Sequence, residues 1–325
     1  MSDSESIKQL SADYIRVKAE LAKVIVGQQQ VLDSLLTSIF SGGHCLLIGV
    51  PGLAKTLIVN TLSQVLGLQF SRIQFTPDLM PSDITGAEIL DANRQFKFLK
   101  GPVFANLVLA DEINRTPPKT QAALLEAMQE HSVTVSGTSY RLPDPFFVLA
   151  TQNPIEQEGT YPLPEAQLDR FMFDVMLDYP SFDEEMDVVK STTADYHPRL
   201  DVVLSADAIV AYQQAIRRMP VPDNVCAFAV HLVSDSRPRH GSDRADSVTD
   251  KYVSWGAGPR ASQYLVMGAK THAALYGKFS PDIADVRAVA MEVLRHRIVR
   301  NYYAEAEGIT TDDIIRQLID KNNTF

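Results

Sequence analysis

Apolar and polar positions divide the chain into two regimes. Up to about residue 180, short apolar runs alternate with helical stretches. Beyond about 200, apolar residues recur almost throughout at three- and four-residue spacing. Residues 6–40 read as helical, with IKQLSADYIRVKAELAKVIV and QQVLDSLLTSIF on either side of Gly27-Gln28. The run Cys45-Leu46-Leu47-Ile48 then follows Gly42-Gly43-His44, and so compact an apolar run beside glycines predicts a buried parallel strand. Further strands are predicted near 69–75 and over 107–110, 146–150 and 171–177. Helices are predicted between several of them, notably at 56–66 and 120–130. This alternation predicts an α/β domain whose parallel sheet is covered on both faces.

Two intervals break the rhythm. Residues 84–100 predict two short strands around Asp91-Ala92-Asn93-Arg94, and residues 132–142 alternate around Ser136-Gly137 as a tight hairpin. After Tyr179-Pro180, residues 183–193 are acidic and polar. Helices are then expected at 205–218, 222–234, 259–276, 281–301 and 310–321. Residues 235–254, with Pro238, Gly241 and many charges, read as an exposed loop. The expected organisation is an α/β domain over 1–180, a linker over 181–200 and a helical domain over 201–325.

Composition narrows the function. A chain of 325 residues with 45% hydrophobic residues is long enough for two domains and too apolar to be disordered. The net charge of -10 argues against polyanion binding, and the two halves are acidic separately. No run approaches the length of a membrane span, and the opening MSDSESIKQL has no basic-then-apolar signal, so a soluble cytoplasmic protein is expected. Two distant cysteines, Cys45 and Cys226, make neither a disulfide framework nor a metal cluster.

The sharpest local signal is Gly49-Val50-Pro51-Gly52-Leu53-Ala54-Lys55-Thr56, directly after the 45–48 strand and before a helix. Backbone N–H groups turned inward, the positive end of the helix and a fixed cation together bind phosphates. Lys55 is placed to meet the β- and γ-phosphates and Thr56 to ligate Mg²⁺. Ala54 stands where the common pattern has glycine, and ordinary helical torsions are expected there. A second signal is the strand 107–110 ending in Asp111-Glu112. Asp111 is placed to hold Mg²⁺ and Glu112 to polarise the attacking water. The third strand ends in Thr151-Gln152-Asn153-Pro154 and puts Asn153 near the γ-phosphate, although Asn-Pro is also a common turn. Arg170 and Arg260 complete the set as guanidinium partners for transition-state charge. The bland alternatives are a surface ion pair for Arg170 with Asp169 or Glu165, and an ordinary first-turn residue for Arg260.

With these residues assembled, the chain resembles an AAA+ ATPase of the MoxR family over almost its whole length. The resemblance rests on Val24-Ile25-Val26-Gly27-Gln28, on the run from Gly42 into Gly49–Thr56, and on TPDLMPSDITG at 76–86. It continues through Ala110-Asp111-Glu112-Ile113-Asn114-Arg115, Thr151-Gln152-Asn153-Pro154 and Gly258-Pro259-Arg260. It implies a P-loop αβα domain followed by a smaller all-helical lid. It also implies ATP and Mg²⁺ as cofactors, with Val26 and Gly27 at the adenine. Asp111 and Glu112 would be the Walker B pair and Asn153 sensor 1. Arg170 would be a finger reaching a neighbouring subunit, Arg260 sensor 2, closing the lid on ATP, and Arg115 a second residue facing a neighbour. The breaks at 84–100 and 132–142 match inserts of that branch. A hexameric ring, protein clients and von Willebrand factor A partner proteins are implied as well. A metal-chelatase ATPase subunit and a nucleic-acid motor share the inserts. The few basic residues there, Arg94, Lys97, Lys100 and Arg141, are thin for a nucleic-acid track.

Overall fold

A computed structural model describes residues 2–90, 92, 94–156, 159–195, 198–238 and 247–322. The predicted helical stretch at the start is two helices, α1 (Asp3–Leu21) and α2 (Gln29–Ser41), ahead of the first strand, β1 (Cys45–Gly49). Ser2 and Glu5 cap the first helix reciprocally, each side chain bonding the other's backbone N–H. Helix α3 (Lys55–Val65) leads to β2 (Phe70–Gln74). A one-turn helix, α4 (Pro81–Thr85), and an antiparallel ribbon, β3 (Gly86–Leu90) and β4 (Phe96–Lys100), precede β5 (Leu107–Asp111). Helix α5 (Pro118–Glu130) runs into a hairpin, β6 (Ser132–Val135) with β7 (Thr138–Arg141), and then β8 (Phe147–Gln152). A single turn, α6 (Glu165–Leu168), and β9 (Phe173–Leu177) complete this half.

The five long strands form one parallel sheet in the order β2-β5-β8-β1-β9. Successive side chains leave a strand on opposite faces, and the two cores follow that rule. Cys45 and Leu47 of β1, Leu107 and Leu109 of β5, and Phe147 and Leu149 of β8 enter one apolar cluster. Leu46, Val108, Ala110, Val148 and Ala150 enter the other. Both inserts form two-stranded sheets apart from this core, as their alternation predicts.

Beyond the sheet lie α7 (Phe182–Thr192), α8 (Ala206–Arg218), α9 (Asp223–Asp235), α10 (Val248–Tyr252) and β10 (Val253–Trp255). They are followed by α11 (Pro259–Leu275), α12 (Ile283–Leu294), β11 (Val299–Arg300), α13 (Tyr302–Ala306) and α14 (Thr311–Lys321). Three expectations need correction here. The segment read as a linker contains α7, opened by a capping box between Ser181 and Glu184. The supposed loop at 235–254 holds α10 and β10, although residues 239–246 lie outside the described residues. The helix expected over 281–301 stops at Leu294, because Arg295, His296 and Arg297 form a 3-10 turn that binds the sheet instead.

That turn fastens the helical region to the amino end of β9. Arg295 Nη1 donates to the Asp174 carbonyl at 2.6 Å, and a His296 ring nitrogen bonds the Phe171 carbonyl at 3.1 Å. Arg297 is buried, and its Nε donates to Asp169 Oδ1 at 2.7 Å. Its remaining N–H groups go to the carbonyls of Asp169, Phe171, Met172 and Val293. With five donors and five acceptors, this guanidinium is fully satisfied. Helices α1 and α2 also pack on α8 and α11, so the first forty residues join the two regions.

Candidate active site

The sheet topology brings the predicted chemistry to one edge. Register pairs Ile48 of β1 with Gln152 of β8, and Ala110 of β5 with Ala150 of β8. Gly49, Asp111 and Asn153 therefore emerge side by side at the carboxyl ends of three adjacent strands, where ligands bind in parallel α/β sheets. The 49–56 loop leaves β1 there and opens α3, whose first turn has no side-chain cap. Its backbone donors are free for an anion. Gly52 has φ +90°, and a Cβ there would meet nothing within 4 Å, so the hollow of the loop is open. Lys55 Nζ donates to the Gly49 carbonyl, folding back over the same hollow. Burial pulls the Lys55 amine below the usual lysine range, while the Asp111 and Glu112 carboxylates push it up.

Ala54 corrects an expectation. It has φ +56°, a left-handed torsion rather than a helical one. Glycine adopts this conformation freely, whereas alanine bears about 1 kcal/mol or more of strain. The same torsion recurs at Glu112, with φ +57°, immediately after β5. Two non-glycine residues are thus held in sparse regions of backbone space at the two halves of one site, as happens where neighbours over-determine a functional geometry.

The carboxylates are held by Thr151, Arg72 and Gln74, to which the motifs gave no role, and by Arg115. Thr151 Oγ1 donates to Asp111 Oδ1 at 2.7 Å and accepts from the Glu112 amide at 2.8 Å. Arg72 grips Asp111 Oδ2 through Nη2 at 2.7 Å and Nε at 3.2 Å. Gln74 accepts from Arg72 at 2.7 Å and donates to Glu112 Oε2 at 3.0 Å. Arg115 donates to that same oxygen at 2.9 Å, so it pairs within its own chain. The signal for Arg72 and Gln74 was present: they sit two apart on β2, on one face of an edge strand, and are polar. Asn153 is 5% exposed, and its Oδ1 accepts from the Ile155 amide at 3.1 Å. Its Nδ2 is buried without a partner among the described residues. A stranded donor beside a phosphate loop fits a γ-phosphate oxygen or a water, because leaving it unpaired costs about 1–3 kcal/mol.

Beside the loop lies a largely apolar cavity of about 180 Å³ between Val24–Gln28, residues 52–54 and 57, and α7. Val26 lines it, and the adjoining Gly27 has φ +68°; a Cβ there would come within 2.3 Å of Glu184 Oε1.

The two arginines are elsewhere. Phe173 of β9 is level with Cys45 of β1 and Leu177 with Gly49, so Arg170 stands at the amino end of the sheet. It lines a cavity of about 200 Å³ with Arg260, Tyr264, His131 and Gly42–His44. Arg170 Nη1 donates to the Leu125 carbonyl at 2.9 Å and makes no ion pair with Asp169 or Glu165 among the described residues. Arg260, at the start of α11, pairs with Asp169 at 2.9 Å. A five-residue strand spans about 16 Å, and a strand's length therefore lies between these two residues and the 49–56 loop. Sequence left open whether Arg260 serves its own chain or a neighbour, and this placement sets it away from its own chain's 49–56 loop.

Comparison with known proteins follows the same division. Residues 44–173 match the ATPase family associated with various cellular activities, and residues 245–318 match the AAA lid domain. Chaperone MoxR1 of Mycobacterium tuberculosis is 42% identical over 301 residues, covering 92% of this chain and 79% of its own. Protein YeaC of Bacillus subtilis is 43% identical over 300 residues, covering 91% and 90%. Protein MoxR of Methylorubrum extorquens is 30% identical over 323 residues, covering 94% and 93%. The crystal structure of a proposed ATPase from Cytophaga hutchinsonii superposes with a TM-score of 0.89 at 42% identity, covering 98% of this chain and 96% of that one. With relatives aligned across both regions and the phosphate loop paired with its carboxylates on one sheet edge, the chain belongs to the MoxR family of AAA+ ATPases.

Proposed function

We propose that this ATPase hydrolyses ATP at sites shared between subunits of a ring, the feature that couples hydrolysis to remodelling of client protein complexes. Residues 49–56 would hold the phosphates, with Lys55 neutralising the β- and γ-phosphates. Thr56 and Asp111 would hold Mg²⁺, which when bound offsets charge on the phosphate oxygens. Glu112 would polarise the attacking water, and Asn153 would orient it through its stranded Nδ2. Val26 and Gly27 would flank the adenine.

The observation that carries the shared site is the strand-length separation of Arg170 and Arg260 from the loop. A guanidinium held at the amino end of a sheet cannot serve a phosphate at the carboxyl end of the same sheet. Head-to-tail packing of a second copy would bring the two ends together, and such contacts close into rings. We assign Arg170 and Arg260 to the neighbour's γ-phosphate. Hexameric assembly is the ring we favour, with von Willebrand factor A proteins as partners. Protein clients suit the ribbon β3–β4, which exposes Leu90, Phe96 and Leu99 to solvent.

The test is ATP turnover against protein concentration, with Glu112→Gln and Arg170→Ala made separately and mixed. Each variant alone should lose about 100-fold or more. The mixture should recover activity, since some interfaces combine an intact Glu112 with an intact Arg170. Mixtures no more active than their components would refute the shared site.

A further inference from the structure

The cavity at the amino end of the sheet has a wall that suits an anion. Arg170, Arg260, Tyr264 and His131 line it, and no carboxylate does among the described residues. Arg170 gives one N–H to the Leu125 carbonyl and Arg260 one to Asp169, so each guanidinium keeps further donors unengaged. The two histidines of the wall differ. His44 is buried, which pushes its imidazole down to about 4. Both its ring nitrogens are taken, one by the Met128 carbonyl at 3.1 Å and the other by the Val148 amide at 3.1 Å. His131 is exposed, and its ring centroid lies 6.3 Å from that of His44. Its ring makes no hydrogen bond among the described residues.

The turn at His131 is closed by backbone alone. Its N–H donates to the Ala127 carbonyl at 3.0 Å, and its carbonyl accepts from the Leu142 amide at 3.0 Å, tying α5 to the hairpin β6–β7. That backbone is left-handed at φ +50°, where glycine is unstrained and a side chain costs about 1 kcal/mol or more. An imidazole thus stands on the wall of an arginine-lined cavity although the turn is made without its ring. We infer that His131 is a third donor to the terminal phosphate of the neighbouring subunit's ATP, its ring N–H bonding a phosphate oxygen beside Arg170 and Arg260. The inference rests on those arginines serving a neighbour. Charge on the transferring phosphoryl group spreads over its outer oxygens, and a donor fixed there in advance lowers the barrier.

The experiment measures steady-state ATP turnover with Mg²⁺ on the full chain. The samples are the parent, His131→Gly alone, and equal mixtures of His131→Gly with Glu112→Gln or with Arg170→Ala. His131→Gly alone should lose about tenfold or more, the worth of one hydrogen bond to a charged group. Random assembly with Glu112→Gln leaves about a quarter of the interfaces with both groups intact, so that mixture should exceed the mean of its components about fivefold or more. Mixed with Arg170→Ala it should gain nothing, because both lesions then lie on the same side of every interface. A role for His131 in its own chain's site predicts the reverse pair of results. Should glycine loosen the hairpin, His131→Ala removes the ring while keeping a Cβ, and the same mixtures decide. The control is Glu112→Gln mixed with Arg170→Ala: without recovery there, the shared site falls and His131 with it. With that recovery, parent-like turnover of His131→Gly, no gain with Glu112→Gln, or a gain with Arg170→Ala overturns the role of His131 and leaves the shared site standing.

Discussion

Asp169 offers the most direct test of how the helical region is tied to the sheet. Its Oδ1 accepts from Arg297, whose side chain is 2% exposed, and its Oδ2 from Arg260, whose side chain is 41% exposed. The carboxylate is the anion of the Arg297 cage; the other acceptors around that guanidinium are backbone carbonyls. Burial pulls Arg297 below the usual arginine range and the Asp169 hydrogen bond pushes it up. Asp169→Ala leaves that buried cation without its counter-charge, a change that costs about 3–5 kcal/mol. For a chain of this length the loss corresponds to a drop of about 4–7 °C in Tm. Asp169→Asn keeps an oxygen for Nε and should lose less. The exposed pair with Arg260 is screened by salt but the buried one is not, so most of the loss should persist in concentrated NaCl. Thermal denaturation by circular dichroism at low and high salt gives the answer. A variant melting within about 1 °C of the parent would refute the reasoning, as would a deficit abolished by salt.

Two further outcomes follow from a buried carboxyl and from a left-handed torsion. Asp174 is 4% exposed with Oδ1 unpartnered among the described residues. Burial, with Asp312 and Glu292 nearby, pushes its carboxyl up from 3.8 to about 7, although Arg295 and Arg297 oppose this. The folded state therefore keeps a proton that the unfolded chain releases. Stability from this group is complete below about pH 4 and is lost as pH rises to about 7, by about 4 kcal/mol over the window. Urea denaturation should show Asp174→Asn gaining on the parent from pH 5 to pH 8; parallel profiles would contradict this. At Ala54, Gly relieves about 1 kcal/mol of left-handed strain but loosens the unfolded chain by nearly as much, so stability should move by less than about 1 kcal/mol. Ala54→Val adds a branched Cβ at the same torsion and should melt clearly lower. Equal melting temperatures for Gly and Val would show that the torsion is not enforced.

Much of the site was legible because its parts are local. Gly49–Thr56 and Asp111-Glu112 each sit within a few residues of a strand end, and a strand announces itself by a short apolar run between breakers. The inserts were legible for a similar reason, since alternation over five residues needs no distant partner to be recognised. Thr151 was quoted within a motif, yet its clamp on Asp111 and Glu112 needs β5 and β8 to be neighbours. The end of α12 was missed because Arg295–Arg297 continue a helical pattern locally and leave it only to reach carbonyls more than a hundred positions earlier.

The sequence by itself determined the strand–loop–helix around residues 49–56 and the strand that ends at Asp111-Glu112, because these depend on periodicity and spacing within one segment. The tertiary structure decided which groups share a site. Parallel register set Asp111 and Asn153 beside Gly49 and sent Arg170 to the far end, while Arg297 and Asp169 anchored Arg260 there. Only the pairing of strands distant in sequence, and the burial of charge that fixes one region on another, carry that information.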